Sequence, residues 1–79
     1  MTYIHLTIAS PLETFFDGEA QSVTLPGSTG EFQVLSQHEP LITTLKEGVI
    51  RYQIPAGVVE MPVTRGVVEI AHNHCTVLV

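Results

Sequence analysis

The stretch VTLPGSTGEFQVLSQHEPLITTLKEGVIRY, from Val23 to Tyr52, decides how the chain is read. Apolar residues recur in it at every second position. Val23 and Leu25 alternate with Thr24, Phe32 and Val34 with Glu31 and Gln33, and Ile50 and Tyr52 with Arg51. A period of two sorts side chains onto the two faces of a strand, whereas a helix needs 3.6. Turn formers separate these runs: PGSTG at 26–30 and KEG at 46–48. EPLITTLKEG has room for one helical turn. Ile42, Thr43 and Thr44 in succession nevertheless favour strand, because branching at Cβ suits a pleated surface.

The same pattern continues outward on both sides. YIHLTIA sets Ile4, Leu6 and Ile8 against Tyr3, His5 and Thr7, and Pro11 ends the run. VIRYQI extends to Ile54. In VVEMPV, Val59, Met61 and Val63 oppose Glu60. Pro62 has no N–H to give to a ladder, which puts this run at a sheet edge. GVVEIA and CTVLV close the chain. Further turn signals are Asp17-Gly18, Pro55 to Gly57 and His72-Asn73. Strands at this spacing predict a sandwich or barrel: one all-β domain over residues 1–79, with two apolar faces packed together.

Composition narrows the function. A domain of 79 residues buries only ~60% of the surface its unfolded chain exposes, so the core is thin. Charged residues are 14% of the chain and hydrophobic ones 44%, where ~25% charged is ordinary. Much of the surface is therefore neutral or apolar, which points to cover by another chain. Three basic residues against eight acids give a net charge of −5. That balance excludes nucleic acid and electrostatic adhesion to anionic lipid, both of which need clustered Lys and Arg. The single Cys75 has no partner for an internal disulfide and fits a reducing compartment. The start, MTYIHLTIASP, lacks the basic region of a signal peptide. No apolar run reaches the ~20 residues of a membrane span, so no direct membrane insertion is expected.

The residues that could carry chemistry are few. In HNHC, His72, His74 and Cys75 are good ligands for zinc or copper, and His72 and His74 would share one side of an extended strand. A closed zinc site needs about four ligands, and His5 is the one other histidine in a strand. The competing reading is a hairpin turn with Asn73 at the bend. There is no nucleophile elbow around Cys75 or any serine. PGSTGE lacks the lysine and following helix of a phosphate cradle. Glu13, Asp17 and Glu19 read as a solvated acidic group around a turn. No enzyme activity, cofactor or metal is expected. Glu31 and His38 flank turns; the residues alone leave open whether they are turn ornaments or a contact surface.

Taken whole, Val23–Tyr52 resembles the N-terminal domain of the epsilon subunit of F-type ATP synthases, called delta in mitochondria. The family pattern V-T-x-P-G-x-x-G-E-x-G-V-L-P-G-H-A-P-L-L-T-x-L-K-P-G-V-x-R is matched by Val23, Thr24, Pro26, Gly27, Gly30, Glu31, Val34, Leu35, His38 and Pro40. It is matched further by Leu41, Thr43, Leu45, Lys46, Gly48, Val49 and Arg51. YIHLTIASP and RGVVEIAHNHCTVLV resemble the family's first strand and closing strand pair. Departures are Gln33 for glycine, Ser36-Gln37 for Pro-Gly, Glu39 for a small residue, Glu47 for proline and Thr64-Arg65 for small residues.

The resemblance implies a flattened β-sandwich of about ten short strands in two sheets. It implies a non-catalytic rotor subunit at the foot of the central stalk, one side packed on the gamma subunit. The turns carrying Gly30, Glu31 and His38 would form a docking loop on the polar loops of the c-ring. The location implied is peripheral, on the cytoplasmic face of the cell membrane in the F1 sector. Most family members continue into two helices that can inhibit hydrolysis and in some bind ATP. Ending at Val79, the sequence reads as a short form or a fragment without that arm.

Overall fold

Each alternating run folds as a strand in the computed structural model, which describes residues 3–79 and has no helix among them. Nine strands follow in order: β1 (Ile4–Ala9), β2 (Thr14–Ala20), β3 (Ser22–Gly27), β4 (Gly30–Val34), β5 (Leu41–Leu45), β6 (Gly48–Ile54), β7 (Gly57–Val63), β8 (Gly66–Ala71) and β9 (His74–Leu78). EPLITTLKEG contributes β5, so strand propensity prevails over the alternative helical turn.

The strands are joined in the order β2-β1-β9-β8-β5-β3-β6-β7, with β4 on the far side of β3. All pairs are antiparallel except β1 with β9. The two sheets expected from the resemblance are thus joined in one hydrogen-bonded sheet of nine strands among the described residues, eight on a single path and β4 beside β3. Their division is still visible. β2-β1-β9-β8-β5 and β4-β3-β6-β7 meet at one residue pair, Gly27 with Leu45. The reason is local. Ser22–Thr24 pairs with β6, and only the last residue of β3 reaches β5. Gly27 is required at this joint, because a Cβ there would stand 2.6 Å from the Gly30 carbonyl oxygen and 2.8 Å from the Phe32 ring.

The inward set is the one the alternation marks. Ile4, Leu6, Ile8, Val23, Leu25, Val34, Ile50, Val68, Ile70, Cys75 and Val77 are fully buried or nearly so. Each such aliphatic side chain contributes roughly 1.5–3 kcal/mol over exposure. Phe16 of β2 packs on Tyr52 of β6, ring centroids 4.7 Å apart, and ties the two halves together across the open side. β7 lies at one end of the path, where Pro62 was expected to put it. Asp17-Gly18 departs from expectation. These residues sit inside β2, paired with Thr7 and Leu6, because the ladder with β1 outweighs a local turn preference.

Candidate functional site

The β3–β4 hairpin turns on Ser28 and Thr29, and Gly27 pairs with Gly30 across it. Gly30 has φ +145°, a conformation open to glycine and strained for any other residue. Ser28 and Thr44 share a hydroxyl hydrogen bond of 2.6 Å, and Ser28 N–H donates to Thr44 O, which holds the hairpin against β5. β4 has β3 on one side and, among the described residues, no strand on the other. A cleft of about 350 Å³ opens between β4 and β5. Phe32, Leu41 and Thr43 line it, together with Gly30, Glu31 and His38. The structure therefore gathers all three residues assigned to a docking loop into one depression.

Glu31 is exposed and forms no ion pair among the described residues. Arg51 is engaged elsewhere: its Nε–H donates to Glu60 Oε2 at 2.9 Å. That bond, with the Glu60 charge and a smaller contribution from Glu31, holds the guanidinium above its ordinary value. The Glu31 carboxylate is thus left for a partner. His38 points its Nδ1 at Glu39 O, 2.7 Å away. A carbonyl oxygen only accepts, so Nδ1 is the donor of this bond and Nε2 is left for a further hydrogen bond. Leu35 and Ile42 are 50% and 71% exposed but do not line the cleft, and Ile42 alternates with Leu41 and Thr43 onto the other face of β5.

His38 is presented by a turn at Leu35–His38, closed by His38 N–H to Leu35 O at 3.2 Å. Gln37 occupies its third position with φ +64°. Type II turns demand a positive φ there and favour Pro-Gly at the centre. Here Ser36-Gln37 takes that place, and a non-glycine residue in this region costs ~1–2 kcal/mol. A tie from another element offsets it. Asn73 Oδ1 accepts the Gln37 backbone N–H at 2.8 Å, worth roughly 0.5–1.5 kcal/mol. The Ser36-Gln37 departure leaves the turn in place.

The HNHC cluster does not converge. His72 and Asn73 have φ +53° and +58°, the pair of left-handed residues of a tight hairpin turn, and they join β8 to β9. His72 is thus in a turn and not on a strand. Cys75 faces the core with no exposed surface, and burial pushes its thiol up to about 12. His74 faces the other side, with its ring edge-on to His5 at 4.6 Å. Its Nε2 lies 3.0 Å from Thr7 Oγ1, Thr7 donates to Asp17 Oδ1 at 3.2 Å, and His5 Nε2 meets the same oxygen at 2.6 Å. These bonds, His5 first, hold the Asp17 carboxyl below its ordinary value. No group of three or more His, Cys, Asp or Glu suited to a metal ion occurs among the described residues. Strand alternation puts His74 and Cys75 on different faces of β9, so the HNHC side chains do not share one face. Asp17 is engaged by His5 and Thr7 and does not belong to a loose acidic group.

A second depression shares no residue with the cleft. It is a groove of about 840 Å³, lined by apolar Phe15, Val49, Met61, Val63 and Val79 together with the charged Glu47 and Arg65. Phe15 and Val49 are 44% and 38% exposed. Sequence reasoning expected an apolar contact side but did not locate it. Phe15 is the unpaired residue at an irregularity in the β1–β2 ladder, and it is exposed like Asp17 and Glu19, so the alternation alone reads it as ordinary surface.

The comparisons agree with this architecture. The family model described as ATP synthase, Delta/Epsilon chain, beta-sandwich domain matches residues 3–79. The ATP synthase epsilon chain of Delftia acidovorans is 40% identical over 79 residues, 99% of this chain and 57% of that one. The epsilon chain of Nitratiruptor sp. is 41% identical over 80 residues, covering 100% and 62%. The chloroplastic epsilon chain of Porphyra purpurea is 37% identical over 76 residues, covering 96% and 57%. The chain thus spans roughly three-fifths of the length of these relatives. Among solved structures, a chain of the Euglena gracilis mitochondrial ATP synthase (OSCP/F1/c-ring) superimposes with a TM-score of 0.89 at 19% identity. It is covered to 49%, and this chain to 96%. A chain of the Tetrahymena thermophila mitochondrial ATP synthase central stalk and c-ring gives 0.77 at 17% identity. These two likenesses concern the fold. With the family model matched from residue 3 to the end, the chain belongs to the ATP synthase delta/epsilon chain family, as its β-sandwich domain.

Proposed function

We propose that this chain is a non-catalytic central-stalk subunit of an F-type ATP synthase, linking the gamma subunit to the c-ring so that ion translocation is coupled to ATP synthesis. The observation that carries the reading is the convergence of Gly30, Glu31 and His38 on one cleft. Glu31 offers a carboxylate that forms no ion pair among the described residues to a basic or amide group of the c-ring loops. His38 offers a hydrogen bond beside it. Exposed pairs of this kind are worth only ~0–1 kcal/mol each, so they set register more than strength.

Strength comes from the second depression. The apolar groove around Phe15, Val49 and Met61 is the side packed on gamma. Burying it accounts for the low charge content of the chain. In this role the protein is peripheral, held at the cytoplasmic face of the membrane within the F1 sector by its partners. Cofactor and catalytic residues have no part in it.

Glu31→Lys tests the docking assignment in the assembled complex. The variant is expected to fold normally, bind gamma normally and lower the fraction of ATP hydrolysis coupled to ion transport in membrane vesicles. Unchanged coupling would remove Glu31 from the interface.

A further inference from the structure

We infer that Asn73 is a positioning residue for the c-ring docking surface, holding the His38 turn in its working shape from the opposite end of the sequence. The inference rests on the docking role proposed above. Three contacts carry it. The Asn73 side chain accepts the Gln37 backbone N–H at 2.8 Å through Oδ1. Its Nδ2–H donates to Tyr3 O at 2.9 Å. Its own carbonyl accepts the His5 N–H at 3.1 Å. One residue thus joins the Leu35–His38 turn, the start of β1 and the β8–β9 hairpin.

The tie has a specific purpose. The Leu35–His38 turn is closed by a long bond of 3.2 Å and contains a glutamine in a left-handed conformation. Neither Ser36 nor Gln37 prefers its position. In a turn of this kind the third residue's N–H points away from the turn and needs an acceptor elsewhere. Asn73 supplies it. Asparagine suits the task twice, because it tolerates its own φ of +58° and carries an acceptor and a donor on one short side chain. His38 follows Gln37 directly, so the direction of the imidazole depends on the conformation Asn73 selects. Asn73 itself does not line the cleft.

The test separates the two functions of the side chain. Asn73→Gly keeps the hairpin backbone and removes both side-chain bonds. Asn73→Asp keeps the acceptor for Gln37 and loses the donor to Tyr3. With the stalk complex bound to purified c-ring, Asn73→Gly is expected to weaken docking about tenfold, and Asn73→Asp by no more than about threefold. Adding Ser36→Pro and Gln37→Gly to Asn73→Gly preforms the turn and restores docking. A purely structural role for Asn73 would not be rescued by changes in a different turn. Full-strength docking of Asn73→Gly overturns the proposal, as does failure of the Pro-Gly pair to restore it. The unaltered chain gives an independent reading by amide hydrogen exchange. The Gln37 amide is expected to exchange at least about tenfold more slowly than a solvent-facing turn amide, and equal rates would also overturn the proposal. If Glu31→Lys and His38→Ala dock normally, the docking role itself fails, while the slow Gln37 amide still reports the tie.

Discussion

The cleft beside β4 sets a carboxylate and an imidazole beside Phe32 and Leu41 at a tightly bent backbone, whereas the groove around Val49 sets Phe15, Met61, Val63 and Val79 together, with Glu47 and Arg65 also in its lining. The cleft is less than half the volume of the groove, and its distinctive groups are polar. The difference matches the two mechanical demands of the proposed role. A subunit that turns with gamma needs an adhesive surface there, and apolar area supplies it without directional bonds. Contact with polar loops needs correct register, and directional hydrogen bonds supply that at little cost in stickiness.

The strongest way to break this contrast is to put a charge in the groove. Val49→Asp faces outward on β6 and is expected to leave the fold intact. It would weaken association with gamma at least about a hundredfold, because the carboxylate would be buried without a partner. Size-exclusion chromatography of the co-expressed pair reads this directly. Next in size is Gly27→Ala, at the joint between the two strand groups. The clash with the Gly30 carbonyl is expected to cost about 1–3 kcal/mol in denaturant unfolding and to disturb the cleft before the groove.

Smaller effects sharpen the comparison. His38→Ala is expected to weaken c-ring docking about threefold and to leave gamma association unchanged. Raising salt to about 1 M shortens the Debye length to ~3 Å and should weaken the cleft contact more than the groove contact. The smallest effect belongs to neither surface. Hydrogen bonds from His5 and Thr7 depress the Asp17 carboxyl, so their stabilisation is present above the unfolded carboxylate value of ~3.9. It is lost as pH falls through the lower folded value. Thermal unfolding should show a slight loss below pH about 4 that Asp17→Asn lacks.

Much of this was legible in the alternation. Ile4, Leu6 and Ile8, or Val68 and Ile70, declare their inward face because the side-chain period of a strand is two. Pro62 marked an edge through its missing N–H, and His72-Asn73 marked a turn through tolerance of positive φ. Asp17-Gly18 misled because turn preference is local, and here residues 16–20 of β2 run as one unbroken ladder against residues 4–8 of β1. The convergence of Gly30, Glu31 and His38 came from family resemblance, since nothing in the spacing of 31 and 38 fixes their approach. The Gln37–Asn73 tie was illegible: 36 residues separate its ends, and no local pattern records it. The groove was hidden likewise, because Phe15 and Val49 escape the inward set and look like ordinary exposed residues.

The most direct test places a photo-crosslinking amino acid at position 31 and, separately, at position 49 in the assembled, membrane-bound complex. The account predicts an adduct with the c subunit from position 31 and with gamma from position 49. Adducts with gamma from position 31, or no adduct with gamma from position 49, would contradict the assignment of cleft and groove to two different partners.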